Sequence, residues 1–518
     1  MKKYIGITIG PIASTMNFVS SPAALWASSY MFSCVCRRIC QQLIFSYGIK
    51  YEDILSPYFD ENDELLKRND GIGLFHDRII FEAGDFNVKD LNGIRDTVIQ
   101  EISEAFEIRK DYLDEYVMIT GAEYESNRPL LDSGLILDSL ELSAPFVARE
   151  ESNPIICSFN YSGRSEDESR SKKIKEIARQ HLQIDENKWQ LLSNGNIKSL
   201  GQIASSSNVN ETYKINKYYA IIRADGDNMS KIISSLLSKE DYREFSKICL
   251  TYCAQVSDIV GAFDGFTVYA GGDDLLAVVP CENDLIKDGS HVSRTVFNLA
   301  KDISECFNKN FKKYVDAIRQ ANQATEAGKQ KLIPSLSFGI FISYYKFPLY
   351  EALQESANLL FGDAKAPERK DCIAVRLQKH SGQSAHLILP NKCVDTFLKL
   401  QEIVVDNRNS VINKKDSDEE EFLLSAAQKV VLFKRLFNLA ETDQQIDNVF
   451  TNTFDAKEQQ KFEADLVAVK DFLKACKKAN RQIEVTDDDN KLSSSNAAVL
   501  NTVLRVIKFY TEKKGADE

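Results

Sequence analysis

The chain reads as an α+β protein, and three observations carry that reading. Short, alternating, β-prone runs recur between amphipathic helical runs. Two of those runs enter turns rich in Gly and Asp, the chemistry of tight strand connections. From residue 392 onward helical periodicity continues with no convincing strand. At 518 residues the chain is too long for one core. Its 43% apolar and 27% charged residues are those of an ordinary globular protein. A net charge of −12 provides no overall basic field to draw it onto nucleic acid. Eleven cysteines, an odd number scattered along the chain, fit reduced thiols in a cytoplasm better than a disulfide framework.

Taken in order, Tyr4 to Gly10 reads as a buried first strand. It follows Met1-Lys2-Lys3 in the outline of a signal peptide, but it is short, alternates with Gly and Thr, and is stopped by Pro11. No apolar run approaches the roughly 20 residues of a membrane span, so no membrane partner is expected. Ala23 to Ile44 is apolar on most faces and reads as a buried helix. Within it Cys34 and Cys36 point roughly 200° apart, which suits packing rather than metal binding. Gly71 to Glu82 reads as a hairpin with His76-Asp77 at its turn. A metal-phosphohydrolase role for that pair would need further ligands from only five histidines. Asp90 to Ile108 is helical, Tyr116 to Gly121 a strand, and Ile136 to Leu142 continues the same domain, bounded at 1–149. Residues 150–216 turn Ser-, Asn- and charge-rich around one amphipathic helix, Lys172 to Leu182, and read as a linking domain.

Residues 217–391 form the next domain. A strand from Tyr218 runs into Asp225-Gly226-Asp227-Asn228, with a helix from about Ser230. A longer helix spans Asp241 to Phe263. The run Phe266 to Pro280 is strand, turn, strand around Gly271-Gly272-Asp273-Asp274. A helix over Val292 to Arg319, a strand over Ser335 to Ser343, a helix over Leu349 to Phe361 and strands at Ile373–Leu377 and Leu387–Leu389 complete it. The order β-α-β-β-α-β is the ferredoxin-like, palm pattern. Residues 392–518 read as a helical bundle. A weak internal repeat lays Tyr4–Ile12 over Tyr219–Asp227, placing Gly10 where Asp225 stands. The first half is then a second palm without the acids, and the whole has two palms, an intervening small domain and a C-terminal bundle.

The chemistry lies in the second palm. In such a sheet the first strand and the central hairpin are neighbours, so Asp225 would converge with Asp273 and Asp274. Carboxylates so placed, with the Gly226 backbone, suit two Mg²⁺ (or Mn²⁺) ions and nucleotidyl transfer from ATP. Asp227, Asn228, Ser230 and Lys231 at a helix start, Gly271 and Gly272 in the turn, and Lys365 as a phosphate clamp would hold the nucleotide. Asp225-Gly226-Asp227-Asn228 is also a plausible helix cap. A Ca²⁺ loop is excluded because its twelfth position is Leu236. A free-standing diguanylate cyclase normally has an aromatic after the acids, where Leu275 stands. A templated polymerase would want a basic groove. A silent scaffold would leave three acids clustered without metal, at a cost to the core.

Ile9-Gly10-Pro11-Ile12, Leu25 to Tyr30, Asp77 to Phe81, Asp225 to Lys231, Gly271 to Asp274, Ser337 to Ile340 and Ala364-Lys365 together resemble a family. It is the large polymerase/cyclase subunit of type III CRISPR effector complexes, especially the type III-B (Cmr) branch. The resemblance implies facing palms with nucleotide between them, partner subunits, and guide and target RNA met through the complex. It implies an ATP-using synthase, switched on by target RNA, that makes a second messenger. In most members the product is cyclic oligoadenylate; a type III-B branch instead joins AMP to S-adenosylmethionine. Members often begin with an HD nuclease domain, whereas here the first palm starts at residue 4, so that nuclease is expected to be absent. The family's four-cysteine zinc site is missing too, so no zinc is expected. The small size favours S-adenosylmethionine as co-substrate.

Overall fold

A computed structural model describes residues 2–143 apart from 18 and 69, parts of 172–193, 196–206, 214–323 apart from 288 and 289, 325, 332–410, 418–478, 483–486 and 491–512. Two sheets of the same topology organise it. The first is built from β1 (Lys2–Gly10), β2 (Ile54–Ser56), β3 (Arg78–Glu82) and β4 (Met118–Ser126) in the order β2-β3-β1-β4. Strand β1 is antiparallel to both its neighbours. Helices α1 (Pro22–Phe45) and α2 (Leu91–Phe106) supply the crossovers. The breadth of apolar surface on α1 has a simple origin: Trp26, Phe32, Val35, Ile39 and Leu43 are all fully enclosed, as are Cys36 and Cys40.

The second sheet contains β5 (Tyr218–Asp227), β6 (Phe266–Gly271), β7 (Asp274–Pro280) and β8 (Ser335–Tyr344) in the order β8-β5-β7-β6. Helices α3 (Lys239–Ala262) and α4 (Val296–Asn310) connect them. This is again the ferredoxin-like arrangement, so the fold is α+β with two palms. The sheet grows beyond β8 through β9 (Cys372–Gln378), β10 (Ser384–Pro390), β11 (Glu484–Thr486) and β12 (Leu492–Ser493).

Several sequence expectations need correction. The segment from residue 392 onward is not strand-free, because β11 pairs with the edge strand β10 through Leu387–Val485 and Ile388–Glu484. Three polar-flanked residues carry too little periodicity to be seen alone. Val292 to Thr295 is not helical; it pairs with Glu282 to Asp284 and Leu285 in a hairpin, and helix begins only at Val296. That helix ends at Asn310, and a second runs over Lys312–Gln323. Gly71 to Glu82 is not a hairpin. Only β3 pairs within its own sheet, whereas Gly73 makes a parallel bridge to Tyr269 of β6. Strand β2, absent from the sequence reading, takes the vacant place beside β3. The helix expected at Lys172–Leu182 lies largely outside the described residues.

The palms are joined through their backbones and through buried side chains. The Ala270 N–H donates to the Gly73 carbonyl at 3.1 Å, and Ser29 Oγ donates to the Val268 carbonyl at 2.8 Å. Trp26 Nε1 donates to the Gly71 carbonyl at 2.8 Å and its ring lies 4.9 Å from that of Trp189. Gln190 then reaches the second palm, donating to the Ser257 carbonyl at 3.1 Å and accepting from Thr267 N–H at 3.3 Å. Arg68–Asp258 (2.8 Å) and Lys247–Asp63 (2.5 Å) cross the same boundary. Among the described residues no helix is long and apolar enough to cross a membrane.

Candidate functional site

Strand β5 and the β6–β7 hairpin place the acids. The register sets Ala224 opposite Leu275, so the next position brings Asp225 against Asp274 at the end of the ladder. Gly271 pairs with Asp274, which leaves a tight two-residue turn, Gly272-Asp273. Gly272 takes φ +69°, a value that favours glycine. Asp273 thus occupies the turn and Asp274 opens the returning strand. A Cβ on Gly226 would lie 2.4 Å from Asp273 Oδ2, so only glycine lets the β5 backbone lie against that carboxylate. The Gly226 backbone also supports Asp273 by a hydrogen bond.

The electrostatics follow from this crowding. Burial, then the neighbouring Asp225, push the Asp273 carboxyl up to about 7, against the pull of Lys365. Asp274 reaches solvent at its tip, yet protein surrounds it, and burial together with Asp273 and Asp225 raises it well above the usual carboxylate range. Lys365 Nζ pairs with Asp225 Oδ2 and donates to the Gly226 carbonyl at 2.9 Å; each side chain of the pair is 18% exposed.

Lys365 is aimed by the segment before it. Helix α5 (Leu349–Ala357) passes into a π-helical turn, Asn358–Ala364, whose wider winding ends at Lys365. This turn lies directly on β8. A Cβ on Gly339 would come within 2.4 Å of the Ser356 carbonyl and 2.5 Å of Leu360 N. The glycine of Ser337-Phe338-Gly339-Ile340 therefore admits the helix that delivers the lysine.

Other residues expected at the nucleotide have different surroundings. Asp227 is fully buried, and its Oδ2 accepts from Ser335 Oγ at 2.8 Å, Ser337 Oγ at 2.7 Å and Asp371 N–H at 3.0 Å. Its carboxylate ties β5 to β8 and to the turn before β9; it does not face the cleft. Asn228 adopts φ 59°, donates to the Ile333 carbonyl at 3.1 Å and accepts from Lys370 Nζ at 3.0 Å. Ser230 is exposed and Lys231 half-buried on a helix of only five residues, Met229–Ile233. Asn228 and Lys365 both line a cavity of about 1130 Å³ that also takes in Arg369, Lys370 and Lys301.

One residue was missed. Arg223 stands two positions before Asp225 on the same face of β5, its Nε donating to Ser356 Oγ at 3.1 Å. Burial lowers its pKa to about 10, with Asp274 pulling the other way. An Arg inside an apolar strand, Tyr219-Ala220-Ile221-Ile222-Arg223, was the available signal.

His76 is neutral and structural. Nδ1 accepts from Arg78 N–H at 3.2 Å, Nε2 faces Ser56 Oγ at 3.0 Å, and burial lowers its pKa to about 4, Arg78 adding to the effect. Asp77 instead lines a cavity of about 660 Å³ in the first palm, with Asp114, Glu115 and Glu141 at its rim and Ile9, Ile12, Val117 and Met118 among its walls. Asp77 is near enough to act electrostatically on Asp274, the smallest of the causes that raise that carboxyl.

Among the described residues, no three Asp, Glu, His or Cys side chains form a ready-made metal cage. Mg²⁺ commonly uses one or two carboxylates and completes its shell with phosphates and water. Asp225, Asp273 and Asp274, crowded at the end of one ladder, are a donor set of that kind.

Comparison with known proteins gives the same assignment from two ends. Residues 4–108 match the family model described as CRISPR-associated protein Cmr2, N-terminal. Residues 218–374 match Cas10/Cmr2, second palm domain. The CRISPR system Cmr subunit Cmr2 of Pyrococcus furiosus is 33% identical over 193 residues, which is 32% of this chain and 19% of that protein. A type III-B Cmr-beta structure in its apo state superposes with TM-score 0.51 at 12% identity, covering 99% of this chain and 82% of the other. A Csm1-Csm4 cassette in complex with cA4 gives TM-score 0.53 at 13% identity, covering 98% and 70%. Csm1 from T. onnurineus gives 0.51 at 12%, covering 99% and 70%.

Proposed function

The chain belongs to the Cas10/Cmr2 family, and from that premise we propose that it is the nucleotidyltransferase subunit of a type III-B CRISPR effector complex. In this reading it works with partner subunits and is activated when the complex's guide RNA pairs with target RNA. ATP is the donor, and S-adenosylmethionine the favoured acceptor. The observation that carries the transferase reading is the convergence of Asp225, Asp273 and Asp274 beside Lys365.

Asp225, Asp273 and Asp274, with the Gly226 carbonyl beside them, would hold two Mg²⁺ ions. Bound there, the ions would lower the pKa of an attacking 3′-hydroxyl and neutralise the leaving pyrophosphate. Lys365 would exchange the Asp225 carboxylate for a phosphate oxygen, which frees the carboxylate. Arg223 offsets part of the negative charge from within the sheet. The cavity lined by Asn228, Lys365 and Lys370 has room for a triphosphate and sets five cationic side chains against four carboxylates, none of them Asp225, Asp273 or Asp274.

The first-palm cavity supports the acceptor assignment. Four carboxylates (Asp77, Asp114, Glu115, Glu141) against one guanidinium (Arg95) around an apolar pocket favour an organic cation such as a sulfonium and disfavour a second triphosphate. In the runner-up reading, cyclic oligoadenylate synthesis, that acceptor would itself be ATP.

The test is direct. The complex is assembled with guide and target RNA and given labelled ATP and Mg²⁺, with and without S-adenosylmethionine. The expected result is a new adenylylated product that requires S-adenosylmethionine and target RNA. A product unchanged by S-adenosylmethionine overturns the acceptor assignment, and no product in either arm overturns the synthase reading.

A further inference from the structure

Two side-chain relays, both starting on the short C-terminal strand β11, end on Asp363, two residues before Lys365. In the first, Glu484 Oε2 receives Arg369 Nε at 2.9 Å and Arg369 NH2 at 2.6 Å, while Arg369 NH1 donates to the Asp363 carbonyl at 3.3 Å. In the second, Thr486 Oγ1 lies 2.7 Å from His386 Nδ1, and the His386 ring packs with Nε2 3.1 Å from Asp363 Oδ2, a close approach outside hydrogen-bond geometry. Arg369 and His386 are 16% and 7% exposed, so neither contact is a loose surface pair. Glu484 and Thr486 lie two apart on one face of β11, which is held on β10 by Leu387–Val485 and Ile388–Glu484. The anchored segment closes on itself through Lys365 N–H to the Leu360 carbonyl (2.8 Å) and Lys370 N–H to the Ala364 carbonyl (2.9 Å).

We infer that Glu484, acting through Arg369, and Thr486, acting through His386, are positioning residues for Lys365. Neither reaches the cleft. Arg369 holds the Asp363 carbonyl and the His386 ring packs against its carboxylate, and together they set the origin from which Lys365 reaches Asp225. A segment more than 100 residues beyond the lysine thereby sets the phosphate clamp, and the C-terminal domain becomes part of the active-site framework. The inference rests on the reading of Lys365 as that clamp.

The experiment uses the assembled complex carrying Glu484→Gln or Thr486→Val, alongside the unchanged chain. Two quantities are measured: ATP KM and kcat for product synthesis, and amide exchange in the peptide covering residues 360–372. The expected result is a KM raised about tenfold with kcat within about twofold, because a displaced clamp weakens phosphate binding in ground and transition states alike. Exchange in that peptide should quicken about tenfold, while the β5 peptide stays unchanged. Unchanged KM and unchanged local exchange overturn the inference. So does a fall in kcat alone that tracks a lowered melting temperature, since that marks a merely structural role. If the unchanged complex makes no product, the synthase reading fails; the exchange arm then decides the relay alone, faster exchange supporting it and unchanged exchange overturning it.

Discussion

At the scale of single residues, two aspartates two positions apart have opposite surroundings. Asp225 sits on Lys365 in the cleft, whereas Asp227 is enclosed and holds three donors. Replacing Asp227 by Ala strands two serine hydroxyls and an N–H in the interior, a cost of about 3 kcal/mol or more. Asp227→Ala should therefore lower the melting temperature markedly, while Asp225→Ala should leave it nearly unchanged and abolish synthesis. Thermal unfolding and product assays on the two variants check this contrast. Asp273→Ala combined with Asp274→Ala should reduce synthesis by more than about 100-fold with assembly intact. Loss of assembly instead would show that the hairpin acids are structural. The sequence made the acids legible because Gly-Gly-Asp-Asp between two β-prone runs is a local signal. The inward turn of Asp227 was not legible, because its partners Ser335, Ser337 and Asp371 lie more than 100 residues away.

At the scale of elements, the delivery of Lys365 depends on a close helix-on-strand contact. Gly339 permits it, and any side chain there meets backbone atoms that have no room to move. Gly339→Ala should cost about 1–3 kcal/mol in overpacking, and it should raise ATP KM as the π-helical turn lifts off β8. Denaturant unfolding and steady-state kinetics read the two effects. The glycine was visible in the sequence only as a residue in an apolar strand; its purpose needed the position of Ser356 and Leu360. The Gly71–Glu82 expectation failed for a related reason. Two adjacent β-prone runs with a turn between them look like a hairpin, but Gly73 is used by β6 of the other palm. Pairing partners are set by packing, not by sequence neighbourhood.

At the scale of the whole molecule, the palms act as one body because hydrogen bonds, Trp26–Trp189 packing and ion pairs join them. The part of its stability that depends on a neutral His76 should fall in mild acid, while the raised Asp273 and Asp274 carboxyls act in the opposite direction. The His76 pKa is lowered from 6.5 to about 4 on folding, so the unfolded chain binds the extra proton first. The His76 contribution is thus full above about pH 6.5 and declines as pH falls toward about 4, where the loss levels off. Comparing the pH dependence of melting temperature for the unchanged chain and His76→Gln checks this; the variant should lose less between pH 7 and 5. By itself the sequence determined the two-palm plan, the β-α-β-β-α-β order and the acidic hairpin, because periodicity and turn chemistry are local properties. The tertiary structure alone decided that Lys365 pairs with Asp225, that Asp227 turns inward, that Arg223 lies two positions before Asp225 on the same face, and that β11 extends the sheet. Those facts depend on register, side-chain direction and contacts between residues far apart in the chain, and only the packed sheet fixes all three at once.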